Sequence, residues 1–116
     1  MTINILGVPY KVRIVGRDNS KMKEADGLAE LYSKEILLCQ DEKDDEDAFD
    51  NIGEYYHKVL RHEAFHALFA EMGIRKWFND EELVDMLAMQ YPKIKKIMDE
   101  CDSVDIFSIG TNEVTE

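Results

Sequence analysis

His62-Glu63-Ala64-Phe65-His66, inside the run "LRHEAFHALFAEMG" from Leu60 to Gly73, most limits what this chain can become. On a helix, residues four apart lie about 40° apart around the axis and roughly 6 Å along it, so two imidazoles converge on one point. The segment "AFHALFA" is apolar almost all round, which predicts a buried helix. Buried imidazoles left without partners cost roughly several kcal/mol, so the fold must satisfy both rings. One Zn²⁺ would do so, taking a ring nitrogen from His62 and from His66. Glu63, directly after the first histidine, can hold the water on that ion without becoming a ligand and can take its proton. The competing reading leaves His62 and His66 at the helix surface or bonded to carbonyls. His57, about 140° around the axis from His62, is off this face and reads as a surface residue.

Zinc needs a third protein ligand and an open fourth position. No histidine follows His66, so a carboxylate must serve, and the candidates are Asp80, Glu81, Glu82 and Asp85 at the head of the next helix. Val84, Leu87, Ala88 and Tyr91 form the apolar stripe that should face the motif helix. Glu81, three before Val84 and seven before Ala88, continues that stripe toward the metal and is the preferred ligand. Glu82 points about 100° further round and is its rival. Asp85, four after Glu81, can accept a ring N–H from a ligand histidine. Helix capping and solvation account for other members of the cluster.

At 116 residues and 45% apolar composition, the chain is expected to form one domain, residues 1–116. Net charge is −11, from 14 basic and 25 acidic residues, which argues against direct binding to nucleic-acid phosphates. No run of about 18 apolar residues suggests a membrane span. "MTINILGVPYKVRIVG" has no basic leader with a small-residue cleavage site, and two cysteines, Cys39 and Cys101, make no disulfide framework. The expected setting is a reducing cytoplasm. "DEKDDEDAFD", residues 41–50, carries seven carboxylates and one lysine. It reads as a solvated loop or the acidic first turn of a helix, and it lacks the glycine and closing glutamate spacing of a calcium loop.

The pattern predicts an α+β chain: a strand-rich front over 1–40, a helical back over 45–101 and a tail over 102–116. "TINILG" and "YKVRIV" read as two strands about a turn at Gly7-Val8-Pro9, and "GRDNSKMKEADG" as a polar connection. Leu28–Tyr32 and Glu35–Gln40 read as a hairpin turning at Ser33-Lys34. A helix capped near Asp47 should run to about Met72 and stop at Gly73. A second begins near Asn79 or Asp80, should end or kink at Pro92, and is followed by a helical stretch to about Cys101. Trp77-Phe78 reads as a hydrophobic staple or core lid, and the tail as partly disordered.

HEAFH, followed about fifteen residues later by Glu81-x-x-x-Asp85 on a second helix, is similar to the gluzincin arrangement of zinc peptidases. With the strands in front, it resembles the ImmA/IrrE-type metallopeptidases, especially short versions carried by bacteriophages and prophages. That family's second motif resembles E-x-x-x-N-x-F-A; here it stands as Glu81-Glu82-Leu83-Val84-Asp85-Met86-Leu87-Ala88, with Asp for Asn and Leu for Phe. The resemblance covers roughly residues 27–92. It implies a minimal zincin-like fold, a small N-terminal sheet packed on the active-site helix, and zinc-dependent cleavage of a protein or peptide. The substrate would lie along an edge strand, either Leu28–Tyr32 or Glu35–Gln40. Relatives that act with repressors carry further segments, for which this chain has no room.

A gluzincin also uses a donor for the oxyanion. With His57 off-face, the tyrosines Tyr91, Tyr32, Tyr55 and Tyr56 remain. Tyr91, on the apolar stripe, is the candidate, with packing in the core as its competing role. Three functions are compatible with the residues. They are a zinc-dependent endopeptidase with Glu63 as base, a catalytically silent binding module clipped by structural zinc, and an acidic helical adaptor whose motif is accidental.

Overall fold

The computed structural model describes residues 1–40 and 52–110. The acidic block, the helix cap expected near Asp47 and residues 111–116 lie outside the described residues. Four strands, β1 (Thr2–Ile5), β2 (Val8–Val15), β3 (Gly27–Glu30) and β4 (Glu35–Cys39), precede three helices, α1 (Ile52–Glu71), α2 (Arg75–Phe78) and α3 (Glu81–Asp102). A short 3₁₀ turn, Ile106–Ser108, stands in the segment expected to be partly disordered. The architecture is α+β, as expected, and no described helix is long and apolar enough to cross a membrane.

The strands form one sheet in the order β1-β2-β4-β3. Leu6 (φ 51°) and Gly7 (φ 87°) make the β1–β2 turn, with the Gly7 N–H donating to Asn4 Oδ1 at 2.6 Å. The turn is one residue earlier than expected, so Pro9 falls inside β2. It is tolerated because β4 pairs with β2 only from Lys11 onward, leaving the strand one neighbour at Pro9. The polar connection after β2 carries the chain to the far edge, where β3 and β4 pair as the expected hairpin. Leu31 and Tyr32, however, fall in a four-residue turn over 31–34 rather than in the strand, with Lys34 left-handed (φ 58°). β4 returns to the middle, parallel to β2.

A central strand buries both faces, and "EILLC" has the side chains for it. Ile36 and Leu38 join Ile5, Tyr10 and Ala67 in the main core, against Leu60, Ala64 and Leu68 of α1. Leu37 and Cys39 point the other way and are covered by Met22 from the connecting loop. Met22 is 1% exposed, a burial that contributes roughly 1.5–3 kcal/mol and anchors an otherwise polar segment.

Helix ends follow local chemistry. α1 stops at left-handed Gly73 (φ 78°), with the Ile74 N–H bonded to the Phe69 carbonyl and the Gly73 N–H to that of Ala70. α3 starts after Asp80, whose side chain accepts from the Leu83 N–H at 2.9 Å. Of the two expectations for Pro92, an end to the helix is not what occurs: α3 runs through it to Asp102, close to the expected limit near Cys101. Proline has no N–H for the carbonyl of Ala88, four residues back. Arg61 Nε of α1 donates to that carbonyl at 2.9 Å, so the orphan acceptor becomes a contact between helices. Val84 and Ala88 are fully buried, whereas Tyr91, the last residue of the expected stripe, is 39% exposed.

Candidate metal centre

α1 lies between the sheet and α3, and the two histidines emerge where α3 begins. His66 Nε2 is 3.3 Å from His62 Nε2, and Glu81 spans both: Oε1 is 2.8 Å from His66 Nε2 and Oε2 3.1 Å from His62 Nε2. A tetrahedral ion with bonds of about 2.0–2.1 Å sets its ligand atoms about 3.3 Å apart. The two nitrogens stand at that spacing, and the two carboxylate oxygens lie somewhat closer to them, at 2.8 and 3.1 Å. His62, His66 and Glu81 could therefore hold a metal ion. Glu82 is exposed and outside this group, and Asp80 is spent on the helix cap, so Glu81 is the carboxylate brought to both histidines, with Asp85 near His62 alone.

Proton counting strengthens the geometry. The Nδ1–H of His66 donates to the Phe78 carbonyl at 2.8 Å, which leaves Nε2 of a neutral ring as a lone pair aimed at Glu81. His62 differs: its Nε2, 3.1 Å from Glu81 Oε2, can donate an N–H to that carboxylate, while its Nδ1 is 3.4 Å from Asp85 Oδ1. The His66 Nε2 lone pair therefore faces Glu81 Oε1 at 2.8 Å, and a cation between them, a proton or a metal ion, favours that contact. The carbonyl bond foreseen as the alternative to metal binding is therefore present on His66. It occupies Nδ1, and a ring oriented in this way is one that ligates through the other nitrogen.

Glu63 is 8% exposed, directly behind the histidines. Burial raises its carboxyl to about 7, while His62 pulls it down, the charge of Glu81 pushes it up and the Ala29 N–H of β3 pulls it down. A carboxylate is thus held against the edge strand in a position to exchange a proton. Gly27 makes this approach feasible. A Cβ there would stand 2.7 Å from Val59 Cγ1, 2.9 Å from Glu63 Cγ and 3.0 Å from Glu63 Oε2. In the sequence Gly27 only closes a polar connection; a glycine just ahead of a strand was the available signal of a close approach. The Phe78 carbonyl had no such signal, because backbone acceptors carry no residue code.

The centre opens on a cleft of about 480 Å³, bounded by Ala25–Ala29 on one side and by the Tyr55–His66 face of α1 and Glu81 on the other. Two expectations are revised here. β3 is the strand beside the cleft and a sheet edge, whereas β4 lies between β2 and β3, so Glu35–Gln40 offers no edge. Tyr91, the candidate oxyanion donor, is not brought to the cleft; it borders a separate hollow with Ile3 and Leu68. Tyr32 is fully exposed at the hairpin tip, and of the four tyrosines Tyr55 alone lines the cleft, about 10 Å along the helix from His62. His57 is exposed, as expected. Trp77 packs edge-on to Phe69 with ring centroids 5.5 Å apart, consistent with a lid on the core. Comparison of the chain with known protein families, with curated proteins and with solved structures returns no match.

Proposed function

We propose that this protein is a zinc-dependent peptidase, with His62, His66 and Glu81 as ligands and Glu63 as general base. The observation that carries the reading is the gathering of His62, His66 and Glu81 ligand atoms where they could hold one ion, with a buried carboxylate beside them and an edge strand alongside. Two nitrogens and a carboxylate oxygen suit Zn²⁺ and leave a fourth position open. When bound, zinc would lower the pKa of a water and polarise the carbonyl under attack. Glu63 takes the proton of the attacking water and returns it to the amide nitrogen as the C–N bond breaks. The Ala29 N–H holds the Glu63 carboxylate in place, and Asp85 and the Phe78 carbonyl orient the two rings. β3 offers backbone groups along the cleft to an extended peptide. The resemblance to short ImmA/IrrE-type enzymes of phages and prophages supports the same reading.

Glu63→Gln tests it, because the glutamine keeps the shape and removes the base. Zinc content should be unchanged, while cleavage of a broad peptide library or of host and phage lysate falls by orders of magnitude. Peptides cut by wild type and spared by the variant identify substrates. If zinc-loaded wild type cuts nothing that the variant spares, the peptidase reading fails. The structural-zinc binding module then replaces it.

A further inference from the structure

The cleft wall is rich in acids, and each has a task. Asp26 pairs with Arg17 at 3.1 Å, Glu63 accepts from Ala29, Glu81 faces both histidines, and Asp85 stands 3.4 Å from His62. One cation, Lys58, lines the same wall. It is half-buried, and among the described residues it faces no carboxylate at ion-pair distance. Lys58 is four residues before His62, so it lies on the same face of α1, one turn or roughly 6 Å toward the helix start. Lining the cleft with no ion-pair partner among the described residues, Lys58 is available to a ligand there. Roughly 6 Å also equals about two residues of extended peptide, and side chains two apart on a strand point the same way.

We propose that Lys58 is the specificity-determining residue of the cleft. Its ammonium selects an extended peptide with an acidic side chain two residues from the group held over His62, His66 and Glu81. The inference rests on the reading of the cleft as a peptide site, but not on turnover. Net charge of −11 repels acidic peptides at a distance, yet that repulsion is screened over about 8–10 Å at physiological salt. Contact with Lys58 therefore decides selectivity between peptides rather than the rate of encounter.

Binding to the zinc-loaded Glu63→Gln protein, which retains peptides uncut, reads this without activity. The probes are three fluorescent alanine-rich peptide pools, identical except for Glu, Gln or Lys at the varied positions. The Glu pool should bind about ten-fold tighter than the Lys pool, with the gap narrowing as salt rises. Adding Lys58→Gln should flatten the ranking, and adding Lys58→Glu should invert it. Zinc content and thermal midpoint should stay unchanged, since Lys58 makes no ion pair within the described fold. Equal binding of the Glu and Lys pools, or a Glu preference that survives Lys58→Glu, overturns the role of Lys58 and leaves the peptide site standing. Absence of binding by all three pools overturns both.

Discussion

Two polar clusters flank α1, and they differ in how their hydrogen bonds balance. Near its C-terminal end the Tyr10 hydroxyl donates to Glu71 Oε2 at 2.5 Å and Lys34 Nζ reaches the same oxygen at 2.8 Å. Donors meet an acceptor there, and Tyr10 is wholly buried beneath the pair. Two turns earlier, His66 Nε2 and Glu81 Oε1 stand acceptor to acceptor at 2.8 Å, the His66 Nδ1–H being taken by the Phe78 carbonyl, while His62 Nε2 lies 3.1 Å from Glu81 Oε2. The first cluster is complete within the protein and ties the β3–β4 hairpin to the helix. The second could hold a cation between its members. A fold tolerates such a centre beside a well-packed core because Val84, Ala88 and Ala67 hold the backbones whether or not the centre is filled.

That contrast can be broken most sharply at the ligands. Saturating zinc, at about a hundred times its Kd, should stabilise wild type by roughly 2.7 kcal/mol and raise the thermal midpoint by about 10 °C, reversibly with a chelator. His66→Ala and Glu81→Gln should lose both the metal and this response, whereas Glu82→Gln keeps them. Calorimetry with metal analysis checks this. Loss of metal in Glu82→Gln but not in Glu81→Gln would reassign the third ligand.

A smaller effect is expected at Arg61, a complete contact like that of Glu71. Arg61→Ala leaves the Ala88 carbonyl without its donor and should cost about 1–3 kcal/mol in denaturant unfolding, with or without zinc. Pro92→Ala restores a backbone N–H for that carbonyl, so the cost of Arg61→Ala should shrink in the Pro92→Ala background. An identical cost in both backgrounds would remove the carbonyl from the explanation.

The smallest effect concerns pH. The Lys34 ammonium and then the Tyr10 hydroxyl hold the Glu71 carboxyl below its usual range. A depressed folded-state pKa means stability that is present above the unfolded pKa, about 4.3, and lost as pH falls through the folded value. Wild type should therefore exceed Glu71→Gln in stability near neutrality, and the difference should close as the solution is acidified below about pH 4. A gap that widens on acidification contradicts the proposed direction.

Much of the molecule is determined by neighbours along the chain. The His62–His66 spacing, the stop at Gly73, the cap at Asp80 and the placement of Glu81 ahead of Val84 and Ala88 all depend on helical periodicity and on bonds spanning a few residues. Those are properties of the sequence alone, and the candidate metal centre was legible through them. What tertiary structure decided spans longer distances. β4 sits in the middle of the sheet, parallel to β2, because the Gly16–Asp26 segment crosses over and buries Met22; strand alternation does not encode pairing order. α3 survives Pro92 because Arg61, distant in sequence, supplies the missing donor. Gly27 and the Phe78 carbonyl shape the centre through contacts that appear only once β3 and α2 are packed on α1, and Tyr91 turns away for the same reason. Local hydrogen-bond rules choose the elements, and the closing of the loops between them chooses which atoms meet.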